Sequence, residues 1–143
     1  IRYYPKPGAS ADALATMTRN LSGTIKAHST LVIWVVPEGS KLTVADFNKH
    51  YGTDLVEGKD IIRFVGINIP HSNPVQIEIL NGSSIVARTW YNWGEDVDAY
   101  SDKGILFNYP TDYTITAKVA KNRVDPTPGS LSDDQMPKLI AVK

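Results

Sequence analysis

Along the 143-residue chain, apolar and polar positions change over in short runs broken by Gly, Pro and Asn, the pattern of a strand-built fold. Residues 24–36 end in LVIWVV, apolar at both odd and even positions and rich in β-branched side chains, which predicts a central strand covered on both faces. Pro37-Glu38-Gly39 ends it. Residues 61–69, IIRFVGINI, predict a second strand with Ile61, Val65, Ile67 and Ile69 on one face and Ile62 and Phe64 on the other.

Between these two runs lies the one complete helix start. Thr43 is placed to cap, Asp46 three residues on to close a capping box, and Leu42 to staple onto Phe47, with Val44, Phe47 and Tyr51 sharing a face and Gly52 as the stop. The helix is expected to be short, plugging one end of a sheet rather than forming a layer. A weaker helix start follows Ser10, where Thr16, Thr18 and Ser22 limit it before the chain becomes extended at Gly23.

Residues 75–80 and 85–90 flank Asn81-Gly82, a hairpin signal. A strict two-residue Asn-Gly loop sets Glu78 opposite Ile85. One extra residue in the connection instead sets Val75, Ile77 and Ile79 on the face of Ile85 and Ala87, which segregates apolar from polar positions, so a bulged or three-residue turn is predicted. Residues 113–119 alternate, with Ile115, Ala117 and Val119 facing in and Thr114, Thr116 and Lys118 facing water.

The ends of the chain read differently. Residues 1–9, with Pro5 and Pro7, predict an extended arm that either lies on the edge of the chain's own sheet or pairs with a neighbouring subunit. Residues 121–137, rich in Pro, Ser and Asp, predict a surface loop or linker leading to a last apolar segment at 139–142. Together these elements predict a single, mostly antiparallel β-sandwich domain over residues 1–143, Ig-like or jelly-roll-like, with one or two short helices; an open barrel is the alternative.

Composition narrows the function classes. Fifteen Lys plus Arg balance 15 Asp plus Glu, so no global field draws the chain to nucleic acid or an anionic membrane. No run approaches the roughly 20 apolar residues of a membrane-spanning helix. Cysteine is absent, which removes disulfides, thiolate nucleophiles and Cys-based metal sites. The start at Ile1 rather than Met predicts a processed N-terminus and an extracellular, cell-surface or virion setting.

Motifs of catalysis are not found. There is no phosphate-binding Gly loop and no GxSxG elbow, and His28, His50 and His71 lack metal or catalytic spacing. Asp46 and His50 share a helical face, and the expectation is that they serve the two helix ends rather than an acid–base pair. No enzyme activity is predicted.

What remains is residues 90–113, which hold seven of the 13 aromatic residues, five of the 15 carboxylates and a single basic residue, Lys103. Trp90, Tyr91, Trp93 and Tyr100 are candidate ligand-binding residues, because stiff aromatic rings stack on sugars and anchor interfaces. Alternation sends Trp90 and Tyr91 to opposite faces of their strand. Asp96, Asp98 and Asp102 are candidate calcium ligands, although the spacing is not that of an EF-hand. The predicted function is non-catalytic binding of a glycan or protein through this aromatic and acidic loop. The alternative is a structural subunit of a filament, virion or surface layer, a homo-oligomer joined through its terminal strands.

Overall fold

The computed structural model describes residues 1–5, 17–21, 25–26, 29–66, 69, 72–93, 102–110 and 114–136. Their strands are β1 (Arg2–Tyr4), β2 (Met17–Thr18), β3 (Val32–Val36), β4 (Ile61–Val65), β5 (Val75–Asn81), β6 (Ser84–Tyr91), β7 (Gly104–Phe107) and β8 (Val119–Val124). One α-helix, α1 (Val44–Tyr51), and a 3-10 turn at Asp133–Gln135 complete the described elements. The fold is mainly β, in several sheets. It forms two compact units, one from Ile1–Leu21, Pro70–Asp125 and Ser132–Lys143, the other from Ser22–Ile69 and Pro126–Leu131.

The second unit is a β-α-β arrangement. β3 and β4 pair in parallel, Val32 opposite Ile61 through Val36 opposite Val65, and α1 lies in the connection between them, as a parallel pair requires a long crossover. Its start is the predicted one. Thr43 Oγ1 accepts from the Asp46 N–H at 3.3 Å, and Asp46 Oδ2 accepts from the Thr43 N–H at 2.8 Å. The Thr43 N–H, and to a lesser degree the Thr43 hydroxyl donating to Asp46 Oδ2 at 2.7 Å, hold the Asp46 carboxyl below the ordinary carboxylate range. Gly52 closes the helix in the left-handed region at φ 65°, a conformation glycine adopts without a Cβ clash.

The helix is not an end plug. Val44 and Phe47 pack with Ile61, Val32, Trp34 and Leu55, so the helix covers one face of the parallel pair. The Trp34 ring lies 5.0 Å from Phe47, which in turn lies 4.6 Å from Tyr51. Leu42 stands 54% exposed and forms no staple that buries it. β3 is also not the central strand of a larger sheet among the described residues, since β4 is its one partner. The returning segment at 126–131 closes this unit: Thr30 Oγ1 donates to the Gly129 carbonyl at 3.0 Å, and a Cβ on Gly129 would meet Leu55 Cδ2 at 3.0 Å.

The first unit is built on a four-stranded sheet in the order β2-β1-β5-β6, antiparallel throughout. Arg2–Tyr4 of the N-terminal arm are therefore an interior strand of the chain's own sheet, with Tyr3 and Tyr4 buried in it, while residues 6–9 of the arm lie outside the described residues. The chain is already extended at Met17, ahead of Gly23, and the helix start at Ser10 lies outside the described residues. β5 and β6 turn through Gly82 and Ser83, because Asn81 pairs with Ser84. Gly82, at φ 60°, supplies the positive φ that such a tight loop needs. The extra residue sits in the strand: Leu80 pairs with Ile85 but Ile79 with Ala87, leaving Val86 as the bulge.

β7 and β8 form an antiparallel pair. The strand expected at 113–119 is displaced to 119–124, and Ile115, expected to face in, is exposed. The reason is a long-range pairing: residues 115–117 spend backbone bonds on Arg88 of β6 instead of joining β8. The stretch 121–137 is correspondingly less loop than predicted, holding most of β8, the 126–131 closure and the 3-10 turn, where Gln135 Oε1 accepts from the Ser132 N–H at 3.1 Å. Residues 137–143, with the last apolar segment, lie outside the described residues.

The reciprocal cap makes a direct prediction. Thr43→Ala lowers the stability of the second unit by about 1 kcal/mol, Asp46→Ala lowers it too, and the double variant loses less than the sum because each residue serves the other; denaturant midpoints read the difference.

Candidate functional site

β5 is buried on both faces, which is unusual for a strand reading VQIEIL. Val75 is fully buried on one face, while Gln76 and Glu78 are each 2% exposed on the other. A buried carboxylate requires partners, and the register supplies them. Glu78 stands between Arg2 on β1 and Arg88 on β6, and Gln76 between Tyr4 and Trp90. Glu78 Oε1 accepts from Arg88 Nε at 2.9 Å and from Gln76 Nε2 at 3.0 Å. The polar side of the predicted hairpin is thus an interior side.

Arg88 has a second job through its backbone. Its N–H donates to the Ile115 carbonyl at 2.7 Å and its carbonyl accepts from the Ala117 N–H at 2.8 Å, so residues 115–117 run beside β6 in a parallel bridge centred on Thr116. Thr89 Oγ1 donates to the Ala117 carbonyl at 3.2 Å. Beyond these bonds a cavity of about 510 Å³ opens, walled by Trp90 and Trp93 on one side and residues 117–122 on the other.

The two walls are shaped by local backbone features. After Tyr91 the chain turns at Asn92, φ 54°, a left-handed value that Asn tolerates, and Asn92 Nδ2 donates to the Asn73 carbonyl at 3.1 Å. That turn sets Trp93 out at 50% exposure while Trp90 stays half-buried. On the opposite wall, β8 carries two residues more than β7 between their paired ends: Gly104 pairs with Val124, Leu106 with Lys121 and Phe107 with Val119. The two bulges bend this wall, and the Asn108 N–H holds it at the Lys118 carbonyl, 2.8 Å away.

The structure divides the predicted site residues. Trp90 and Trp93 line one cavity. Tyr91 pairs with Val75 and so lies on the other face of β6, away from Trp90; burial, with the nearby Tyr3 as a lesser cause, pushes its phenol up to about 12. Tyr100, Asp96 and Asp98 lie outside the described residues. Asp102 is exposed just before β7, and no group of three His, Asp or Glu able to hold a metal occurs among the described residues. Asp46 serves the helix cap and His50 stands edge-on to Tyr51 at 4.6 Å, as expected of helix-end residues.

Sequence reasoning missed the wall at 117–122 and the Gln76–Glu78–Arg88 cluster. The wall left no signal, because Ala117 to Val119 read as the end of an alternating strand and Lys121 and Asn122 as the start of a loop. The cluster left a faint one: Gln76, Glu78 and Arg88 fall at matching positions of a hairpin once the bulge is placed.

No protein-family model matches the chain, and no solved structure does. Among curated proteins it is similar to the uncharacterized protein YvnB of Bacillus subtilis (strain 168), 29% identical over 149 aligned positions that cover 96% of this chain and 11% of that protein. The chain therefore spans about a ninth of the length of the relative it matches.

Two outcomes follow from the site. Arg88→Ala leaves the Glu78 charge buried without its cation and destabilises the first unit by about 3 kcal/mol, whereas replacing both residues by Leu costs less than the sum of the single changes, as a double-mutant cycle measures. For Tyr91 the fold favours the neutral phenol, so its contribution to stability is full below the ordinary phenol pKa of 10.0 and is lost as pH rises toward about 12. In an ultraviolet alkaline titration Tyr91 ionises late, and Tyr91→Phe removes that late component.

Proposed function

We propose that the chain is a non-catalytic β-sandwich recognition module that binds a glycan in the groove between Trp90, Trp93 and residues 117–122. The observation that carries this reading is Trp93, a large ring held half-exposed by a left-handed turn at the mouth of a cavity. Leaving such a ring in water forgoes burial worth roughly 2 kcal/mol or more, and a sugar's C–H face is a partner that covers it. The cavity volume of about 510 Å³ falls within the roughly 300 to 1,000 Å³ usual for small-ligand sites.

The similarity to a short stretch of a far longer bacterial protein supports the reading of a module, in which recognition is joined to other activities along a chain. Polysaccharide is met mainly outside the cell, so the proposal carries an extracellular or cell-surface setting. Assembly through the terminal arms draws no support from Arg2–Tyr4 of the N-terminal arm, which pair inside the chain's own sheet.

The test separates the two rings. Trp93→Ala abolishes glycan-induced change in tryptophan fluorescence and leaves stability within about 0.5 kcal/mol, while Trp90→Ala loses affinity and also about 3 kcal/mol of stability. Retention of full glycan affinity by a folded Trp93→Ala variant overturns the reading.

A further inference from the structure

We propose that the main chain of Trp90 is itself a sugar-binding group: its N–H and C=O, at the open edge of β6, hydrogen-bond two neighbouring hydroxyls of a saccharide ring whose C–H face Trp93 covers. The inference rests on the glycan reading of the same groove and adds the feature of the ligand that the groove recognises. It follows from the alternation of an antiparallel ladder, in which successive residues turn their backbone groups toward one neighbour and then away from it. Arg88 turns away from β5, since its N–H and carbonyl bond Ile115 and Ala117. The pairing of β5 with β6 runs without irregularity from Ile79 and Ala87 to Val75 and Tyr91. Thr89 and Tyr91 therefore turn their backbone groups toward β5, and Trp90, like Arg88, turns its own outward.

A regular continuation of the parallel bridge at Thr116 would set the Trp90 N–H on the Ala117 carbonyl and the Val119 N–H on the Trp90 carbonyl. Neither bond forms. The Ala117 carbonyl accepts from Thr89 Oγ1 instead, and Val119 opens β8, paired with Phe107. The chain thus leaves β6 after Ala117, and the cavity opens at that point, with Trp90, Ala117 and Val119 in its lining. Among the described residues no hydrogen bond reaches the Trp90 N–H or carbonyl. Such edge groups are met by water. A ligand that fills the groove displaces that water, and a backbone donor or acceptor then left unpaired weakens binding. A hydroxyl both donates and accepts. Two neighbouring ring hydroxyls, one accepting from the N–H and the other donating to the carbonyl, satisfy both groups, which an apolar ligand cannot do.

The experiment uses the intact chain, residue-resolved amide hydrogen exchange by NMR, and hexasaccharides of the cello-, xylo-, manno- and laminari- series, screened first by tryptophan fluorescence. In the free chain the Trp90 amide exchanges faster than those of Thr89 and Tyr91, which are paired with β5. Saturation with a hexasaccharide that binds is expected to slow Trp90 exchange by about tenfold or more. A second measurement isolates the same N–H by affinity. Trp90→Pro removes it without breaking a ladder bond, and is expected to bind about tenfold more weakly than Trp90→Ala, which lacks the ring equally. Unchanged Trp90 exchange in a saturated complex, or equal affinity of folded Pro and Ala variants, overturns the main-chain subsite. The glycan reading then still stands if Trp93→Ala abolishes binding. Failure of every hexasaccharide to bind overturns both.

Discussion

Glu78 is a carboxylate in the interior of a sheet, and the first unit is arranged to accommodate it. A charge there is tolerated only with a matched cation and filled acceptor sites, and these come from Arg88 on the neighbouring β6 and from Gln76, two residues earlier on β5 itself. The constraint fixes register. With the loop at Gly82 and Ser83 and no bulge, Glu78 would stand opposite Ala87 and Arg88 opposite Ile77, on the wrong face. The extra residue at Val86 restores the match. One bulge thereby serves both the apolar pattern and the buried charge.

The same strand carries this match outward. Arg88 neutralises Glu78 through its side chain and receives residues 115–117 through its backbone, so the interior of the sheet and the near wall of the groove share one residue. Trp90, two positions along the same face, continues from the buried row into the cavity. A change in the pairing of β5 and β6 by a single residue would turn Trp90 to the opposite face and remove the groove wall.

Legibility in the sequence followed how local each determinant is. The helix cap was readable to the residue, since Thr43 and Asp46 act within one another's reach, and the extra residue was readable because the alternation of Val75, Ile77 and Ile79 must meet that of Ala87, whereas Ile85, expected on that same face, pairs with Leu80 on the other. The placing of Trp90 and Tyr91 on opposite faces followed from strand geometry alone. What was not readable depends on long-range partners. Nothing in LVIWVV tells a central strand from one of a parallel pair under a helix, because the run is apolar at every position although the helix covers one face alone. The alternation at 113–119 gave no hint that Arg88 would capture residues 115–117 and displace β8 toward its C-terminal end. The interior role of the N-terminal arm was hidden for the same reason, the partner of Tyr3 being Ile77, far along the chain.

The separation of the two groove walls has an evolutionary consequence. One wall, β6, is bound by the demands of a buried ion pair and an exact register, and tolerates little change. The other, residues 117–122, is held to its neighbours mainly by main-chain bonds, which are indifferent to side-chain identity. Substitutions along 118–122 can therefore alter the character of this wall while Trp90 keeps its place on β6, much as a fixed lens can be paired with interchangeable filters.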